Sequence, residues 1–314
     1  MRAPLRLLGP LLLPWLLVPA VQARERVVAL GYDAITTPGR RVELRAKFEG
    51  AGIGPLRRDL KRRAVRFRLL DQEATARTDG DGVAAAGFAV PTSGTFPFTA
   101  ELLEARGRPT AHATLRVVDP ARPVAVIDID GTLSSMSGVK VLFRGDRAET
   151  YPGAAELVKD LARTHEVVYL SARDDAFMRD TRVFLARHGF PGGALLMNDW
   201  GLDTGEEREQ LRPGKHGEFK LRVLEGLRAR GLRLTLGIGD ADTDAWCYAQ
   251  AKLAGYIHRP KGDRDGLAAG SVVFRDYAEL RVRLVEAGTL PAGGAASGSD
   301  AAPRPSSRQG AGPR

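Results

Sequence analysis

Residues 123–135, PVAVIDIDGTLSS, constrain this chain more than any other stretch. Val124, Ala125, Val126 and Ile127 run on without the polar alternation of a half-exposed strand, as expected of a strand covered on both faces. Such strands belong to parallel sheets with helices on either side. The run then breaks into Asp128 and Asp130, followed by Gly131 and Thr132. Two carboxylates at the end of a buried strand repel each other and lose hydration, so they require a counter-charge. In an open α/β sheet, that end of the strand is also where ligands bind. A period of two puts both aspartates on one face, unless the turn at Gly131 splays them.

Downstream, the pattern alternates between strands and amphipathic helices. Strands are predicted over 124–129, 167–170, 194–197, 232–237, 255–258 and 271–274, and helices over 153–163, 175–188, 217–228, 244–253 and 277–286. The fold class is α/β over 123–288: a Rossmann-like parallel sheet with helices on both faces. Upstream, over 26–119, the texture is short alternating strands. Val42, Leu44, Ala46 and Phe48 alternate with Glu43, Arg45 and Lys47, and Phe96, Phe98, Ala100 and Leu102 alternate with polar neighbours. About seven such segments in roughly ninety residues predict a small antiparallel β-sandwich. With the turn sequence TDGDG at 78–82, they resemble the immunoglobulin-like domains of bacterial exported proteins. The Gly-, Ala-, Ser- and Pro-rich segment 291–314 has little to bury and is expected to be disordered.

The first residues combine Arg2 and Arg6, an apolar run over 7–18 and a Val21-Gln22-Ala23 ending, the pattern of a signal peptide cleaved after Ala23. That core is shorter than the ~20 residues a spanning helix needs, and prolines at 10, 14 and 19 interrupt it. The protein is expected to be exported, periplasmic or secreted. Cys247 is the only cysteine, so no internal disulfide supports the exported fold. Losing Arg2 and Arg6 with the leader lowers the formal net charge from +9 to +7. A basic protein favours anionic partners; export argues against nucleic acid and for soluble phosphate esters or anionic lipid.

Polar groups at two other strand ends are placed to meet the first pair. Ser171 ends VVYLSARDD and offers a hydroxyl to an anionic oxygen; Asp240 ends LTLGIGD, with Asp244 four residues on in the next helix. Clustered carboxylates call for a hard cation with oxygen ligands, most plausibly Mg2+. Repelling negative charge alone would exclude a phosphate, and Lys220, in the predicted first turn of its helix, supplies a cationic point charge. A nucleophilic aspartate, a second carboxylate as acid and base, a metal, a hydroxyl and a lysine together make a phosphoryl-transfer site that works through an aspartyl-phosphate.

DIDGT, LSAR, Lys220 and GDADTD, in this order, resemble the four motifs of the haloacid dehalogenase (HAD) superfamily of phosphatases. More narrowly, DIDGTL, VVYLSAR, EFKLRVL and GIGDADTDAWCY resemble the catalytic domain of the lipins and the related C-terminal domain of phosphatidylinositol transfer proteins, over 124–258. The resemblance implies that Asp128 is the nucleophile and a metal ligand, and that the backbone carbonyl of Asp130 also binds the metal. It makes the Asp130 side chain the general acid and base. Ser171 and Lys220 would hold the phosphoryl group, and Asp240 would complete the Mg2+ shell with support from Asp244. Lipins tend to carry an amide where this chain has Asp240, an ordinary choice across the wider superfamily.

The segments at the two cap positions of the superfamily, 133–151 and 197–215, are short, so the cap is minimal and the site admits a bulky substrate. Phosphatidate or another lipid phosphate is the substrate implied; the alternative is a non-catalytic phosphatidate-binding module. Arg173 is a candidate headgroup contact, and Arg144 reads as a solvated loop residue. Trp200 reads as a cover for the core edge and His216 as a surface residue. RRDLKRRAVRFR, at 57–68, carries seven basic residues and one acid. It reads as a solvated loop entering a strand with Val65, Phe67 and Leu69 inward, or as a contact for anionic membrane.

Overall fold

The computed structural model describes residues 27–53, 56–135, 148–198 and 215–292. The proposed leader, Arg144, Trp200, the centres of both cap segments and residues 293–314 lie outside them. Among the described residues, no helix is long and apolar enough to cross a membrane.

The first half forms two sheets. One joins β1 (Val27–Tyr32), β3 (Val42–Ile53), β4 (Leu56–Asp59) and β7 (Val83–Phe88). The other has the order β2 (Ala34–Thr36), β9 (Thr110–Val117), β8 (Gly94–Leu102), β5 (Ala64–Leu69) and β6 (Gln72–Arg77). All pairings are antiparallel except that of β2 with β9. The expected alternation sets the core, because Leu44, Ala46 and Phe48 from one sheet pack with Val65, Phe67, Leu69 and Ala100 from the other. Among the described residues there are nine strands rather than about seven. Arg66 and Arg68 turn outward and pair with Glu101 and Glu73 at 2.8 and 2.9 Å, which neutralises part of the basic run.

The second half is a six-stranded parallel sheet of order β12-β11-β10-β13-β14-β15. Its strands are β10 (Pro123–Ile127), β11 (Glu166–Asp174), β12 (Ala194–Asn198), β13 (Arg233–Gly239), β14 (Ala254–His258) and β15 (Val272–Phe274). The helices are α1 (Ala154–Thr164), α2 (Met178–Arg187), α3 (Lys215–Ala229), α4 (Asp242–Gln250) and α5 (Tyr277–Glu286). In β10, Ala125 and Ile127 face a core with Leu157 of α1, Phe184 of α2 and Leu280 of α5. Val124 and Val126 face the opposite core, with Leu224 of α3 and Tyr248 of α4. An unbroken apolar strand is therefore what a layer between two sets of helices requires. β10 lies between β11 and β13, where the strand order reverses, so a crevice opens at its carboxyl end.

The two halves are packed together. Tyr32 and Val83 join the core on the α1, α2 and α5 side, while Ile35 and Val118 join the other. Asp33 accepts a hydrogen bond from the Leu195 amide at 3.1 Å, which caps an exposed donor of the edge strand β12. Thr37 donates to the Arg230 carbonyl at 2.7 Å, and Arg116 pairs with Glu166.

Candidate active site

β10 ends at Ile127, and its alternation sends the next side chain, Asp128, toward α3 and α4. There Lys220 Nζ lies 2.5 Å from Asp128 Oδ1 and 2.6 Å from Asp244 Oδ1. Lys220 is in the second turn of its helix, because α3 begins at Lys215 rather than at 217. Asp128 and Lys220 are only 3% and 4% exposed. Thr132 donates to Asp128 Oδ2 at 3.1 Å, and the Asp128 amide donates to the Ile238 carbonyl at 2.9 Å, which ties the residue to β13.

Beyond Ile127 the strand period no longer holds. Asp130 does not share a direction with Asp128, because the chain is already turning into Gly131 with φ +74°. A side chain at 131 is excluded twice over. That φ disfavours L residues, and a Cβ there would fall 2.0 Å from Asp240 Oδ2. Gly239 is needed for a similar reason, since its Cβ would lie 2.5 Å from that of Asp244. The glycines of DIDGT and GIGD thus let the ends of β10 and β13 close on one point.

Asp130 turns to β11. Arg173 Nη2 and Nε donate to its two oxygens at 2.5 and 3.1 Å, and Ser171 Oγ donates at 3.3 Å. The third arm of the guanidinium, Nη1, donates to Thr181 of α2 at 2.7 Å. Here the expected headgroup contact Arg173 is engaged by Asp130 and Thr181. The register of β11 on β12 shifts between Ser171 and Asp174, an irregularity that re-aims side chains just where the motif lies.

Oxygens of Asp128, Asp240 and Asp244 lie within 4.8 Å of one another. The Asp130 carboxylate, expected to act as acid and base rather than as a ligand, is not in this group and is paired with Arg173. Asp244 also serves its own helix. Its Oδ2 accepts the amides of Asp240 and Ala241, each at 3.1 Å. Burial raises the pKa of Asp128 well above the usual range; Lys220 opposes that shift, while Asp244, Asp240 and Asp130 add to it. Burial and the same neighbours push Asp240 up to about 6, against Lys220 and Arg259. Burial favours a neutral Lys220, but Asp128 and Asp244 outweigh it and its pKa is raised. Three carboxylates with one lysine leave a negative excess in a site where only Asp240 is half-buried rather than buried, and a hard divalent cation with oxygen ligands fits that donor set.

His216 sits exposed at the start of α3. Cys247 is a buried free thiol packed among the α4 residues, and burial pushes its pKa up to about 12. Two groups next to the site were not singled out from the sequence. Arg259 donates to the Asp240 carbonyl and pairs with Asp242. Tyr277 donates to the Thr132 carbonyl at 2.6 Å. Neither belongs to a sequence motif, and only the tertiary fold brings them here.

Residues 125–256 match the family model described as PITM 1-3, LNS2 domain. That part of the chain is similar to lipin-like domains of the haloacid dehalogenase type, in agreement with its motifs. Among solved structures, the chain is similar to the D,D-heptose 1,7-bisphosphate phosphatase of B. bronchiseptica complexed with magnesium and phosphate. The identity is 19%, covering 52% of this chain and 99% of that one, with a TM-score of 0.40. It is also similar to a haloacid dehalogenase-like hydrolase of Streptococcus pneumoniae, at 10% identity, covering 51% and 97% of the two chains, TM-score 0.35. The M4 domain of titin shares 14% identity with it, covering 30% of this chain and 94% of that one, TM-score 0.22. No curated protein sequence matches the chain.

Proposed function

We propose that this protein is an exported, Mg2+-dependent phosphatase with an immunoglobulin-like sandwich in front of its catalytic domain. It hydrolyses a phosphate monoester through an aspartyl-phosphate on Asp128. The proposed substrate is phosphatidate or another bulky lipid phosphate. The reading is carried by the contrast between two aspartates one residue apart. Asp128 is buried against Lys220 at 2.5 Å, whereas Asp130 is held apart by Arg173. A site built only to bind a phosphate would not need two carboxylates in such different surroundings.

In the first step, Asp128 attacks the phosphorus and the ester bond breaks, while Asp130 gives a proton to the departing oxygen. In the second, Asp130 takes a proton from water, and the hydroxide attacks the phosphorus and releases Asp128 with inorganic phosphate. To protonate the leaving group, Asp130 must free an oxygen from Arg173. Lys220 is the cation nearest the nucleophile and is placed to neutralise the phosphoryl oxygens. When bound, Mg2+ supplies the remaining positive charge, and Asp128, Asp240 and Asp244 are the carboxylates to hold it. The leader pattern supports export, and the short cap segments support a bulky substrate presented at a surface.

The test is phosphate release from phosphatidate vesicles, phosphoinositide vesicles and an aryl phosphate, with Mg2+ or with a chelator, beside Asp128→Asn. Turnover that needs Mg2+ and disappears in the variant is the expected result. Equal vesicle binding by both proteins with turnover by neither would instead indicate a non-catalytic lipid-binding module.

A further inference from the structure

β3 alternates as a sandwich strand should, yet its outward face is wet only at Glu43 and closes over toward Lys47 and Glu49. Lys47 and Glu49, on the side opposite Ala46 and Phe48, are 4% and 7% exposed. Lys47 meets the stretch that follows the LSAR motif, and Glu49 pairs with Arg57 at 3.0 Å. Lys47 Nζ lies 3.6 Å from Glu49 and 3.9 Å from Asp175, and Tyr32, at the end of β1, donates its hydroxyl to Asp175. Asp175 itself is 1% exposed and opens the single 3-10 turn Asp175–Phe177, two residues after Arg173. The next residue of the sandwich, Asp33, receives Arg182 of α2 at 3.1 Å, and Arg182 also donates to the Gly31 carbonyl. Three consecutive sandwich residues thus hold both ends of the segment from Asp175 to Arg182.

Ion pairs buried between two domains are a poor source of stability, because the lost hydration offsets most of the attraction. What such pairs do supply is one permitted geometry. If the sandwich served only as a spacer, an apolar face would hold it as well. The polar contacts instead converge on the segment that directly follows Ser171 and Arg173, and those two residues hold Asp130.

We infer that the sandwich is a working part of the catalytic site: Tyr32 and Lys47 are positioning residues that fix Asp175 and, through it, the Ser171–Arg173 grip on Asp130. This rests on the phosphatase reading for its kinetic consequence but not for its mechanical one. The path runs from Lys47 and Tyr32 to Asp175, along two residues of backbone to Arg173, and across to the general acid.

The test compares Lys47→Met, Lys47→Arg and Tyr32→Phe with the unaltered full chain, using hydrogen exchange by segment and steady-state kinetics on an aryl phosphate. Lys47→Met is expected to speed exchange over 171–178 while leaving β10 and β13 unchanged. It should also lower kcat by about tenfold with little change in KM, a coupling of the size typical for contacting residues. Lys47→Arg should restore much of both, and Tyr32→Phe, which removes one hydroxyl and keeps the ring packed, should show the same local effect. Unchanged exchange over 171–178 in both Lys47→Met and Tyr32→Phe would overturn the inference. So would acceleration spread evenly over the chain, the sign of a role in general stability. If the unaltered protein turned over no phosphate, the phosphatase reading would fail, and the exchange comparison would still decide whether the sandwich fixes this segment.

Discussion

Arg173 grips both oxygens of Asp130, at 2.5 and 3.1 Å, and a third donor anchors the same guanidinium to Thr181 at 2.7 Å. One planar side chain thereby joins the end of β11, the first turns of α2 and the residue proposed as general acid. Lysine carries the same charge but not the fork, and it is not an equivalent replacement at a bidentate site. Arg173→Lys is expected to lower kcat by about one to two orders of magnitude, less than the ~10²–10⁴-fold that loss of general acid–base catalysis costs, because Asp130 itself remains. KM should change little, since Arg173 faces Asp130 rather than the phosphoryl group. Steady-state kinetics on an aryl phosphate check this, and a rise in KM with kcat unchanged would return Arg173 to substrate binding.

Lys220 is the only lysine or arginine among the described residues seen to touch Asp128, and it also holds Asp244. Replacing it with methionine leaves two buried carboxylates without a counter-charge. Breaking a buried pair from one side costs about 3–5 kcal/mol. Lys220→Met should therefore unfold at markedly lower denaturant concentration at neutral pH and show no turnover. Added Mg2+ should recover part of the lost stability, because the ion supplies charge at the same point. Urea unfolding with and without Mg2+ measures both effects.

Much of this was legible in the sequence, for identifiable reasons. The β10 strand announced itself because a residue covered on both faces needs no polar alternation, and the helix spacings between strands gave the parallel sheet. The carboxylates were found because charge at the end of a buried strand has few explanations. The divergence of Asp130 from Asp128 was legible only as the alternative that the turn at Gly131 opened, because a period of two does not say where the strand stops. Two things were not legible. The partner of Arg173 depends on a register irregularity in β11. The burial of Lys47 escaped because alternation assumes that the polar face meets water, and here it meets Asp175 of the second domain.

Asp240, pushed up to about 6 chiefly by burial, links cation binding to pH. A carboxylate must lose its proton to ligate, so affinity for Mg2+ should weaken as pH falls through about 6, with proton release on binding in that window. Thermal unfolding measured against Mg2+ concentration should show a midpoint that rises with the ion at pH 7.5. At pH 5 the rise should be much smaller. A Mg2+ response that is the same at both values would place the ion on groups other than Asp240.

Asp175 provides a test of domain docking that does not depend on turnover. Burial pushes its pKa up to about 6, with Lys47 and the Tyr32 hydroxyl pulling the other way. The unfolded chain ionises this carboxyl near pH 4, so between about 4 and 6 the folded state holds a proton that the unfolded state has lost. Stability must therefore fall as pH rises through that window, by up to about 3 kcal/mol for a shift of this size, and then level off. Asp175→Asn cannot titrate and should lack this portion of the slope. Subtracting its unfolding free energy from that of the unaltered protein, by urea titration from pH 4 to 7, removes the parallel contribution of Asp240. The difference should decline toward pH 6 and stay flat above it. A flat difference throughout would mean that Asp175 is solvated, and that the sandwich does not close over the segment leading from Arg173.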